Sequence, residues 1–244
     1  ILAYCQKTCP HLRPHLHRLP GGSYRAIFGF SLLTCVQQSV MNFGILMIQG
    51  LVNSFGPTVM AAFAAAVKID AFAYLPVQDF GRAFSTFIAQ NHGAGEAQRI
   101  RRGLRGAVLT VALFSAVVSG LIFFLAPALM GLFVEAGEEA VIAAGVRYLR
   151  IEGAFYVGIG CLFLLYGLCR ALGKPGMSVV LTVFSLGTRV ALAYALAPRF
   201  GVEAIWWAIP IGWVLADTVG FVYYGLRRGE LLLPRESKTD RSKR

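Results

Sequence analysis

The chain has 244 residues, 57% of them hydrophobic and only 14% charged, with a mean hydropathy of +0.63. Soluble domains carry about 25% charged residues, so a chain this apolar cannot cover its own surface with polar groups, and lipid must replace the missing polar surface. A net charge of +11 would suggest nucleic acid in a soluble chain, but here the basic residues fill the gaps between apolar runs, which is a topology pattern and excludes a nucleic-acid partner.

Ile1–Tyr4 is too short for the apolar region of a signal peptide and reads as the end of a preceding helix. With no initiator Met, the chain is expected to be a fragment. Cys5, Cys9, His11, His15 and His17 cluster before the first long apolar run. Their spacing is not a zinc pattern. A basic connecting segment over residues 1–25 is expected there, with no metal and no cofactor. The five cysteines are odd in number and contain no C-x-x-C pair, so they predict no disulfide framework.

A bilayer core needs about 20 apolar residues in a helix. Six such segments follow, over 26–53, 59–90, 104–133, 146–172, 177–197 and 204–226. The third is expected to break near Pro127. The links are short and rich in turn residues, as in Gly56-Pro57, His92-Gly93-Ala94-Gly95 and Gly173-Lys174-Pro175-Gly176. Short links make successive helices antiparallel neighbours. The expected fold is therefore an all-α membrane protein with a six-helix lobe over 26–228 and a basic tail over 229–244. The segment before the first helix, the second-to-third link, the fourth-to-fifth link and the tail hold 17 of the 23 basic residues. Excess Lys and Arg mark the cytoplasmic side, so both ends are expected there, in a multi-pass protein of the cell membrane.

Polar side chains at bilayer depth need partners or a wet cavity. At 100° per residue, Gln38, Asn42, Gln49 and Asn53 share one face of the first helix. Two readings stand: a cavity wall, or interhelical hydrogen bonding. Gln37 lies off that stripe. On the second helix Lys68, Asp79 and Arg82 share a face, and Asp79 and Arg82 have the i,i+3 spacing of an ion pair. Asp70 points elsewhere, near a kink expected at Pro76, and has no basic neighbour one turn away. It is the candidate acid for a proton or sodium ion. Arg147, Arg150 and Glu152 are expected at the outer interface, where long side chains snorkel, rather than in a site, with Glu152, the deepest, kept as a lesser site candidate. Arg189, mid-membrane on the fifth helix, must find an acid or a cavity. Trp206, Trp207, Tyr223 and Tyr224 read as interfacial belts, which leaves Asp217 unexplained. The phosphate-binding loop G-x-x-x-x-G-K-[ST], H-E-x-x-H and G-x-S-x-G do not occur, and an enzyme is not expected.

Three stretches carry a family resemblance. AAFAAAVKIDAFAYLPVQDFGRAFSTFIAQNHGAGEAQRIRRG (residues 61–103) resembles a helix and loop of the multidrug and toxic compound extrusion (MATE) family. The part around Ala83–Gly95 is the most specific. QQSVMNFGILMIQGLVNSFG (37–56) resembles the first helix of that family's C-terminal lobe, and GLCRALGKPG (167–176) the end of its fourth. Pro10–Pro14 falls in the lobe-connecting loop. The resemblance implies one lobe of a twelve-helix transporter, with the N-terminal six-helix lobe as its missing partner. It implies a secondary antiporter that exports small organic solutes in exchange for protons or sodium. Some branches carry acids midway on the first and fourth helices of this lobe. The matching places here are read as Gln37 or Gln38 and the neutral stretch around Gly158–Gly160, so that sodium site is not expected to carry over. Coupling would fall to Asp70, to Asp79 or to the other lobe. A flippase for lipid-linked precursors and a non-transporting fragment are the alternatives. The expected solute and cation pathway comprises Gln38, Asn42, Gln49, Asn53, Asp70, Asp79, Arg82 and Arg189.

Overall fold

The computed structural model describes residues 21–135 and 137–231. The cysteine and histidine cluster before residue 18 and the basic tail beyond 231 lie outside them. Among the described residues seven helices follow in order: α1 Gly21–Asn53, α2 Pro57–Gly93, α3 Ala97–Gly131, α4 Glu139–Gly153, α5 Tyr156–Ala171, α6 Pro175–Phe200 and α7 Val202–Leu231. Five are long and apolar enough to cross a bilayer by themselves, and the bent pair α4–α5 passes the same test of length and composition when taken together, which gives up to six spans. This is an all-α membrane protein.

Most boundaries differ from the sequence expectation by extension. The second span has 37 residues and the third 35. At 1.5 Å per residue, about 20 of them cover the hydrocarbon, so the charged ends reach water as helix. Arg99, Arg101 and Arg102 accordingly sit in the first turns of α3 rather than in a loop. Pro76 lies inside α2, and α3 continues through Pro127 to Gly131 instead of breaking there. The real break falls in the fourth span, where α4 ends at Gly153 and α5 starts at Tyr156 with a bend of 53°. The turn between α5 and α6 closes on Gly173 at φ 70°, a left-handed conformation that a side chain disfavours.

Helix α6 packs along α7, α2 along α5, and α1 along α6. Two of these contacts are backbone against backbone. A Cβ at Gly167 would lie 2.6 Å from the Gly81 carbonyl oxygen, and one at Gly212 would lie 2.5 Å from that of Ser185. Small residues let membrane helices approach this closely. The Ser85 hydroxyl also donates to the Gly167 carbonyl at 2.9 Å. Leu109, Leu113, Val117, Leu121 and Phe124 give α3 an exposed apolar face, suited to lipid.

Candidate functional site

Every helix except α3 contributes to one central cavity of about 190 Å³. Its polar side chains are Gln49 from α1, Asp70, Tyr74 and Gln78 from α2, Tyr148 and Glu152 from α4, and Tyr156 and Tyr166 from α5. Helix α6 adds Thr182, Ser185 and Arg189. Asp70 is 3% exposed and Glu152 6%. The Tyr156 hydroxyl donates to Asp70 Oδ1. Glu152 Oε2 and Arg189 Nε are buried and have no hydrogen-bond partner among the described residues. The cavity therefore holds two carboxyl groups and one guanidinium.

Rings line part of the cavity and pack behind it. Phe63 and Tyr148 stand on its wall, and Trp206, 1% exposed, lies behind them. Phe63 stacks on Trp206 at 5.4 Å between centroids and 10° between planes, and Tyr148 meets Trp206 edge-on at 4.9 Å. This corrects the expectation that Trp206 belongs to an interfacial belt. Its neighbour Trp207 is 46% exposed and remains outward.

A smaller cleft shares Met41, Gln78, Phe163 and Tyr166 with the cavity and adds Gln37, Gln38, Arg82 and Arg170. It leads to an open recess of about 390 Å³ edged by Arg82, Ser85, Thr86 and Arg170.

The amide stripe of α1 does not form one wall. Gln38 donates to Asn42 at 3.2 Å and Gln49 to Asn53 at 2.9 Å, pairing within the helix. Gln49 lines the cavity and Gln38 the smaller cleft, but Asn42 and Asn53 are exposed and line neither. The interhelical amide bond belongs instead to Gln37, off the stripe, which is buried and donates to Thr182 Oγ1 at 3.1 Å. Asp79 and Arg82 form the expected ion pair at 2.8 Å, with both side chains about two-thirds exposed, at 67% and 65%. Arg189 finds both an acid-bearing cavity and its place in it.

Glu152 is the residue that sequence reasoning misplaced. It was expected at the outer interface with Arg147 and Arg150; those two are exposed, but Glu152 turns inward at the helix break. A signal was present: Tyr148, Glu152 and Tyr156 recur every four residues, which keeps them on one face. Asp217 is buried against Gly158, and its Oδ1 has no hydrogen-bond partner among the described residues.

The sequence profile of the MatE family matches residues 33–195. The chain belongs to the MatE family. It is 28% identical over 190 residues to the probable multidrug resistance protein YpnP of Bacillus subtilis, covering 78% of this chain and 42% of that one. It is also 28% identical over 206 residues to the probable multidrug resistance protein NorM of Deinococcus radiodurans, covering 79% and 45% respectively. The chain thus spans less than half the length of these curated relatives. Among solved structures, a MATE transporter in complex with MaL6 superposes with a TM-score of 0.87 at 19% identity, covering 94% of this chain and 53% of that one. An outward-facing multidrug resistance MATE transporter gives 0.77 at 20%, covering 84% and 46%. The neutral stretch around Gly158–Gly160 lies in α5, and a buried carboxyl group, Glu152, precedes it at the end of α4.

Proposed function

We propose that this chain is one lobe of a MATE-type exporter, which moves small organic solutes across the cell membrane in exchange for protons or sodium. The six-helix partner lobe would complete the path. The observation that carries this reading is the cavity shared by Asp70, Glu152 and Arg189. Two carboxyl groups face one guanidinium, so one further positive charge balances the site: a proton, a sodium ion or a cationic solute. Competition of solute and ion for that one place is what exchange requires, because each must favour a different state of the protein. The acid majority in the deep cavity supports organic cations over the pyrophosphate of a lipid-linked precursor. In this reading Gln49 lies on the solute path and Gln38 and Arg82 at its mouth, while Asn42, Asn53 and Asp79 stand aside. Both chain ends would be cytoplasmic, as the Arg-rich start of α3 supports.

The test is gradient-driven ethidium efflux from proteoliposomes containing the full-length transporter. Asp70→Asn and Glu152→Gln should each lower the rate by about tenfold or more, a change of roughly 1.4 kcal/mol or above. Exposed Asn42→Leu and Asp79→Asn should stay within about twofold. Wild-type rates in both acid variants would remove the coupling role from this lobe.

A further inference from the structure

Arg170 ends α5 half-buried, and among the described residues its guanidinium makes neither a hydrogen bond nor an ion pair, although its carbonyl accepts from Gly173 N–H at 3.1 Å. It lines the same cleft and the same recess as Arg82. Arg82 donates to Asp79 at 2.8 Å and to Gln78 at 3.2 Å, so one of the two positive charges is answered by a carboxylate and the other is not. Two guanidinium groups, Arg82 two-thirds exposed and Arg170 half-buried, thus share one cleft with a single acid, Asp79, and the unanswered charge favours an anion there. The nearby hydroxyls do not supply that anion: Ser85 donates to Gly167 and Thr86 to the Arg82 carbonyl. The planar forks of arginine suit two-oxygen partners such as carboxylate and phosphate.

We propose that Arg82 and Arg170 form an anion-holding site at the mouth of the cavity, which takes the carboxylate or phosphate group of an amphiphile. This rests on the reading of the cavity as a solute path, and it gives the anionic end of a zwitterionic solute a place in this lobe. Asp70 and Arg82 are twelve residues apart on α2, about 18 Å along the axis. That separation sorts the two ends of an extended zwitterion, the cationic end toward the acids and the anionic end toward the arginines. An anionic lipid headgroup has the same chemistry as a solute carboxylate and could occupy the same forks.

The experiment uses the purified full-length transporter in detergent, with fluorescence anisotropy of two dyes that differ in one group. Tetramethylrhodamine carries a free carboxylate, and its methyl ester does not. Wild type should bind the acid form more tightly than the ester. Arg170→Gln and Arg82→Gln should each weaken the acid form by about tenfold and the ester by less than about twofold, in line with loss of a charge-assisted pair. Arg170→Lys, which keeps the charge but not the fork, should fall between. Displacement of the acid dye by phosphatidylglycerol but not by benzoate supports the site with a lipid headgroup as its source; displacement by benzoate supports it with a solute carboxylate. Equal weakening of both dyes, or of neither, overturns the site. Wild type that binds only the ester overturns this site and leaves the export reading standing, whereas wild type that binds neither dye overturns both.

Discussion

Asp70 is held by the hydroxyl of Tyr156, a residue from the far side of the helix break. A buried carboxyl group that loses a hydrogen-bond donor has no water to replace it, and the cost of such an orphan is about 1–3 kcal/mol. Tyr156→Phe should therefore lower the thermal unfolding midpoint of the purified protein, and in the Asp70→Asn background the same change should cost less. Additive losses in that double-mutant cycle would show that the two side chains act independently. Glu152 is a different case, since it has one buried oxygen without a partner among the described residues. Sequence reasoning singled out Asp70, which the fold buries, because an acid lacking a basic neighbour stands out in an apolar run. It misplaced Glu152 because Arg147 and Arg150, one turn earlier, suggested water nearby. Those arginines do face outward: Arg147 pairs with Glu203 at 2.9 Å, and Arg150 lies over the Phe123 ring. Direction around a helix, rather than depth along it, decided the difference.

Among the elements, the contact between α2 and α5 depends on absent side chains. Gly167→Val would push a branched group onto the Gly81 carbonyl, where even one carbon has only 2.6 Å. Overpacking of this kind costs about 1–3 kcal/mol. The variant should lose several degrees of thermal stability in detergent, while Gly176→Ala, whose Cβ meets nothing within 4 Å, should lose little. Equal midpoints in the two variants would contradict the close approach. The six spans and most of their links were legible in the sequence, because hydropathy and turn residues report the solvent around each segment. The bend in the fourth span was not. Gly153-Ala154-Phe155 contains no proline, and the apolar run continues across it, so nothing local marks the break.

For the whole molecule, the proposed orientation has a direct test. Cysteine introduced at exposed Glu138, in a background without the native cysteines, should react with an impermeant maleimide in intact cells. Labelling only after permeabilisation would reverse the lobe. The stack of Phe63, Tyr148 and Trp206 then acquires a meaning beyond packing. A passage open at both ends would let ions run through whenever the gradient allowed, whatever the solute did. In the proposed exchange the stack would act as a seal: an ion that reached Asp70 would meet packed rings on one side of the acids. The exchange ratio would then be kept by that seal as well as by affinity. Weakening the acids would slow the transporter, while opening the rings would make it wasteful, dissipating the gradient with no solute moved.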